Sequence, residues 1–313
     1  MPELDAAVRT IIERCLAVKR GEDVLVVVDP PTREIGEALR EGAARAGADA
    51  VLAIMDTRAT HGTDPARPIA AAMSACDVFI APTSRSLSHA PARKRASESG
   101  ARGATLPGVT AEMLARVMAV DFDLMASRSR QVAELLTGSD EAHLTCPLGS
   151  DFTVDLRDRT GIADDGALTE PGAFGNLPAG EGFIAPRSGS GTIVASSLAP
   201  LGLTDEPAVL TVQGGHLIDA RDGLGPEYIE LLRAHDEAGT NLAELGVGTN
   251  DRARLTGNIL EDEKILGTVH VAFGASAGIG GTVSVPIHLD VVVLDASLTI
   301  GETTVLHDGR FVL

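Results

Sequence analysis

The residues of this sequence best placed to do chemistry are polar groups standing alone inside apolar, strand-like segments. In Val283–Val293 (VSVPIHLDVVV) side chains alternate across a strand, so Val285, Ile287, Leu289 and Val291 share one face while His288 and Asp290 share the other. Gly267–Gly274 (GTVHVAFG) repeats the pattern, with Val269, Val271 and Phe273 on one face and His270 opposite them beside Thr268 and Ala272. In Asn241–Gly248 (NLAELGVG) Glu244 interrupts an apolar stretch, where a bare carboxylate is costly without a cation or strong donors. Taken singly, each histidine reads better as a hydrogen-bonded core group or a residue on the wet side of a sheet than as a ligand. Taken together, two histidines with carboxylates between Glu244 and Asp290 form a grouping used for zinc, iron or cobalt, and a metal at His270, His288 and Asp290 is expected.

Positioning such residues requires strands, and the second half of the chain supplies them. Near Thr137-Gly138-Ser139-Asp140 the pattern changes to alternating segments, His143–Leu148 and Phe152–Leu156, followed by glycine-dense strands. The only good helix after that point is Pro226–Glu237, and Ile287–Leu313 reads as consecutive hairpins. This half, 140–313, is expected to be an α+β metal-binding catalytic domain rich in strands.

Residues 1–139 read differently, as an α/β domain. Helical patterns at Val8–Val18, Thr32–Ala46, Pro68–Ala75, Ser86–Ser97 and Ala111–Leu136 alternate with strands at Asp23–Asp29, Ala50–Met55, Asp77–Pro82 and Ala104–Pro107. That alternation implies crossovers and a mostly parallel sheet. No dinucleotide loop follows the first strand, because Val28 leads into Asp-Pro-Pro-Thr-Arg with neither GxGxxG nor a P-loop lysine. Gly278–Gly281 (GIGG) lacks the strand-turn-helix context and reads as a loop.

As ordered segments, GNLPAGEGFIAP (Gly175–Pro186), NLAELGVGTN, GTVHVAFG and IHLD resemble the M29 aminopeptidases. These are also called the thermophilic aminopeptidase or aminopeptidase T family, and the likeness is to their short leucyl aminopeptidase-like branch. It covers most of Pro171–Leu313; the N-terminal half matches only in its α/β style. In that family a Glu from each of the first two segments, the His of the third, and the His and Asp of the last build a two-metal centre. Carried over position by position, the resemblance implies Glu181, Glu244, His270, His288 and Asp290 as ligands. Glu181 or Glu244 would bridge the metals or take a proton. Two zinc, cobalt or manganese ions would share a water that attacks an amide bond of a small substrate or peptide, making the protein a metallohydrolase. A homodimer formed through the second domain is implied as well.

One departure stands out. The peptidases carry a Tyr shortly after the third-segment His, whereas here the stretch is GASAGIGG with Ala277 at the matching position, and the span from His270 to His288 is short. Both features suit an alternative: ring-cleaving 2,5-dihydroxypyridine dioxygenases resemble the same family and hold one Fe(II) with two His and one carboxylate. Retention of Glu181 and Glu244 weighs the other way. A non-catalytic protein with a structural metal is a further alternative. The acidic run Glu261-Asp262-Glu263, just before the His270 strand, could supply an outer contact to the site or to a substrate amine, but is expected to be a solvated face.

Composition narrows the partners. With 26 basic against 44 acidic side chains, a net charge of -18 and aromatics at 3%, nucleic acid is disfavoured, since counterion release needs a basic surface and base stacking needs aromatic rings. No apolar run approaches the roughly 20 residues that span a bilayer. Cys15, Cys76 and Cys146 are scattered and odd in number, and the N-terminus lacks a signal-peptide pattern, so a cytoplasmic, unanchored protein is expected.

Overall fold

The apolar run Asp23–Val28 lies at the heart of a parallel sheet, buried from Val24 onward, as a run without polar interruption requires. In the computed structural model, which describes residues 2–313, the chain forms two units, Met1–Val120 with Gly166–Ala179 and Asp121–Asp165 with Gly180–Leu313. The α/β reading of the first unit holds. Among the described residues its sheet has five strands, in the order Asp49–Ile54, Asp23–Val28, Val78–Ala81, Arg102–Thr105 and Phe174–Asn176. Every neighbouring pair is parallel. The Asp49–Ile54 edge strand leaves Val51 and Ile54 exposed.

The first strand's exit explains the absence of a glycine loop. Asp29 is buried and accepts from the Thr32 hydroxyl at 3.0 Å and the Ser84 backbone N–H at 3.1 Å, so its own carboxylate fills the strand's carboxyl end. Two expected helices differ in extent. The Val8–Val18 pattern is an α-helix over Pro2–Arg9 that widens to a π-helix over Thr10–Cys15. The helix expected from Ser86 begins only at Pro91, because Ser86 and Ser88 use their hydroxyls in a buried network with Thr105 and Asn176. Ala111–Leu136, expected as one or two helices, is two, Ala111–Val117 and Phe122–Gly138, the second capped by the Asp121 carboxylate.

The second unit is a strand-rich antiparallel structure, as the α+β reading requires. Its sheet counts 13 strands among the described residues. The stretch that matters runs Ser188–Leu198, His288–Val293, Val269–Gly274, Leu242–Gly248, Glu181–Ile184 and Ile162–Asp164, each antiparallel to the next. The strand expected from Val283 starts only at His288. One face of this stretch is apolar: Ile184, Leu245, Val247, Val269, Val271, Phe273, Val291 and Val293 join Ile229 and Leu232 in one core. Tyr228, on the helix Gly225–Arg233, is buried in that core and donates its hydroxyl to the Leu289 carbonyl at 2.7 Å. The helix Phe122–Gly138 packs on the Glu181 strand, where Gly182 permits close approach: a Cβ there would meet the Ser129 carbonyl at 2.7 Å.

Candidate metal centre

Strand register determines what meets on the face opposite the core. Gly248 pairs with Glu181, Gly246 with His270, Glu244 with Ala272, Ala272 with Asp290, and Gly274 with His288. Cross-strand partners share a face, so five ionisable side chains stand over a floor of Gly246, Gly248, Ala272 and Gly274. The small residues make the room. A Cβ on Gly246 would sit 2.0 Å from His270 Nε2, so no larger residue leaves that ring where it is.

All five residues named from sequence converge here. His270 Nε2 lies 3.1 Å from Glu181 Oε2 and 3.3 Å from Glu244 Oε1. His288 Nε2 lies 3.3 Å from Glu244 Oε2 and 3.7 Å from Asp290 Oδ1. Two groups with metal-holding geometry result, Glu181/Glu244/His270 and Glu244/His288/Asp290, and Glu244 belongs to both. Donors bound at about 2.1 Å to one ion, roughly at right angles, are separated by about 3 Å, close to the shortest contacts here.

The residues fit a divalent cation on two further grounds. Among the described residues, Glu181 Oε2 is a buried side-chain oxygen that makes no well-formed hydrogen bond, only the 3.1 Å ion pair with His270, which leaves it room to bind a cation. His288 Nδ1 donates to the Ala275 carbonyl at 2.7 Å, which turns the ring's other nitrogen, Nε2, toward Glu244 and Asp290. Donors of this kind, imidazole and carboxylate without thiolate, suit iron, zinc or manganese.

Burial and mutual charge shape the site's protonation. Burial lowers the affinity of both imidazoles for a proton, but the facing carboxylates outweigh it, holding His270 and His288 well above the ordinary histidine value. Burial pushes Glu181 and Glu244 up; Lys264 and His270 reverse this for Glu181, and His270 and His288 for Glu244, leaving both below the usual range.

Sequence reasoning missed the groups behind Glu181. Lys264 is buried, its side chain 1% exposed, and its ammonium bonds Glu181 Oε1, with Glu263 at 2.8 Å and Asp164 at 3.5 Å. Burial drives Asp164 up to about 7 and Glu263 up to about 8, Lys264 pulling the other way. The acidic run expected to be solvated is therefore corrected, since Glu261, Asp262 and Glu263 are all buried. Asp262 accepts from Ser197 Oγ at 2.8 Å and from the Thr256 and Gly257 backbone at 2.8 and 2.9 Å, while Glu261 accepts from Arg254 N at 2.8 Å. Ala277 is exposed in a short 3-10 turn that follows the His270 strand.

A parallel α/β unit joined in one chain to an antiparallel sheet is a fold shared with solved structures. The chain matches "Wild-type AmpT from Thermus thermophilus" with a TM-score of 0.74 and 20% identity, covering 100% of this chain and 99% of that one. It matches the structure of 2,5-dihydroxypyridine dioxygenase from Pseudomonas putida KT2440 with a TM-score of 0.82 and 20% identity, covering 99% and 96%. No curated protein sequence matches significantly. Over residues 3–313 the chain matches the family model NicX, 2,5-dihydroxypyridine 5,6-dioxygenase, and it belongs to that family. The M29 likeness thus holds for the fold, and the expected metallohydrolase is corrected, because the family spanning the whole chain is one of dioxygenases. One fold serves both kinds of protein, which is why segment resemblance alone pointed to the wrong one; Ala277 in place of Tyr was the signal against hydrolysis.

Proposed function

We propose that the protein is a mononuclear non-haem Fe(II) dioxygenase that opens the ring of a dihydroxylated N-heteroaromatic of the 2,5-dihydroxypyridine type. The observation that carries this is the family match over residues 3–313, on a chain whose second unit gathers two histidines and a carboxylate on one strand face. His270, His288 and Asp290 hold the ion. When bound, Fe(II) supplies the centre at which dioxygen and the electron-rich ring react. The chain's own residues do the remainder. The Ala275 carbonyl fixes the His288 tautomer. Gly246, Gly248 and Ala272 keep the floor clear, and Glu244, between the two imidazoles, accepts the proton of a ring hydroxyl as substrate binds.

Reconstitution with Fe(II) under anaerobic conditions, followed by 2,5-dihydroxypyridine and dioxygen, should give uptake of one dioxygen per ring opened. No uptake with any dihydroxylated heteroaromatic would contradict the reading. A homodimer and a cytoplasmic location are proposed alongside it, the first on the sequence resemblance and the second on an acidic chain whose three cysteines are scattered and form no disulfide. Sedimentation at the monomer mass across dilution would remove the dimer. Among the described residues, no helix is long and apolar enough to cross a membrane.

A further inference from the structure

His288 and Asp290 share one strand, and the residue between them is tied to the core on the opposite face. Tyr228, buried on the helix Gly225–Arg233, donates its hydroxyl to the Leu289 carbonyl at 2.7 Å. Its ring meets Phe273, the cross-strand partner of Leu289, edge-on with centroids 6.4 Å apart. The neighbouring strand Ser188–Leu198 pairs with the ligand strand at Val292 and Val291, and past that point the Ala199 N–H reaches the Asp290 carbonyl at 2.9 Å. Among the described residues this pairing does not extend to Leu289 or to His288, where the ligand strand begins. The Tyr228 hydroxyl thus holds the strand at the end that its neighbour leaves. The Leu289 carbonyl belongs to the peptide joining Leu289 to Asp290, and the orientation of that peptide sets how the side chains on either side of it project.

We propose that Tyr228 is a positioning residue for the metal centre: through the Leu289 carbonyl, its hydroxyl fixes the stretch of strand from which His288 and Asp290 project. It is not a catalytic residue, because it lies in the core, with the sheet between it and the donor face. Filling the core would be served as well by Phe. A buried phenol needs a hydrogen-bond partner, and here the partner is the carbonyl flanked by two ligands. The inference rests on the reading of His288 and Asp290 as ligands, and the experiment below separates the two.

The test is Co(II) binding by the full chain, read as affinity in a chelator competition and as the ligand-field absorption of the bound ion, which responds to ligand geometry. Tyr228→Phe keeps the ring and removes the donor. It should bind Co(II) about 10-fold more weakly, with shifted absorption bands, as expected when a group supporting a ligand is lost. Leu232→Val, which thins the same core from the same helix and removes no donor, should keep wild-type affinity and bands. Tyr228→Phe with wild-type affinity and bands, or Leu232→Val altered to the same degree, would overturn the inference and leave the ligand reading standing. Wild type that binds no Co(II) would overturn both. A second measurement needs no variant, and so holds if Tyr228→Phe does not fold. The chain has one Tyr and no Trp, so its tyrosine emission comes from Tyr228 alone. Zn(II), a closed-shell ion, should change that emission in step with binding; emission constant to saturation would overturn the inference.

Discussion

At the scale of single residues, the site is built from side chains that break a pattern. His270, Glu244, His288 and Asp290 were legible because each interrupts an apolar alternation, and the register puts them on one face. Glu181 was legible only as part of a motif, being set in a Gly/Pro-rich stretch with no periodicity of its own. Lys264 was illegible, and Glu263 belonged to a run named as an outer contact but read as a solvated surface, since nothing local shows Asp262 bonded to Ser197, 65 residues away in sequence. Two outcomes belong here. Gly246→Ala should lower metal affinity by about 10- to 100-fold with the circular dichroism unchanged, because the added methyl displaces the His270 ring; undiminished affinity in a chelator competition would contradict it. Metal binding should also be pH-dependent. Glu181, Glu244 and Asp290 raise the proton affinity of His270 and His288 in the metal-free protein, so an ion must displace those protons. Affinity should therefore rise with pH through neutrality, by up to about 100-fold per pH unit if both protons leave, and level off only above the raised histidine values. A flat profile between about pH 6 and 8 would refute this.

At the scale of elements, the parallel and antiparallel halves were readable from sequence, because uninterrupted apolar runs and alternating ones obey different burial rules. Helix ends were less so. Ser86–Ala90 has helical composition, yet the hydroxyls of Ser86 and Ser88 find Thr105 and Asn176 instead, a competition that local sequence does not reveal. The Glu181 strand depends on the helix Phe122–Gly138 through Gly182. Gly182→Ala would place a methyl 2.7 Å from both the Ser129 carbonyl and Val132 Cβ. Overpacking of this kind costs about 1–3 kcal/mol, lowering Tm by roughly 2–4 °C for each kcal/mol in a unit of this size. Thermal melts check this, and an unaltered Tm would contradict it.

At the scale of the whole molecule, every proposed ligand lies in the second unit, although the chain leaves and re-enters that unit between Asp165 and Gly180. Metal removal should therefore loosen one unit selectively. A ligand present at about 100 times its Kd stabilises the state that binds it by about 2.7 kcal/mol. Chelation should accordingly speed amide exchange in Leu242–Gly248, Val269–Gly274 and His288–Val293 and leave Asp23–Val28 and Val78–Ala81 unchanged. Uniform acceleration across both sheets would mean that the metal is not confined to this site. The acidic balance of the molecule, a net charge of -18, favours cations and is consistent with a small uncharged aromatic substrate in preference to a polyanion.

The most direct test of the central claim is the fate of the oxygen atoms. Iron-loaded protein turning over 2,5-dihydroxypyridine under labelled dioxygen in ordinary water should yield a ring-opened product carrying both atoms of one dioxygen molecule, as read by mass spectrometry. A product whose new oxygen comes from water, or an unopened ring after prolonged incubation, would contradict it.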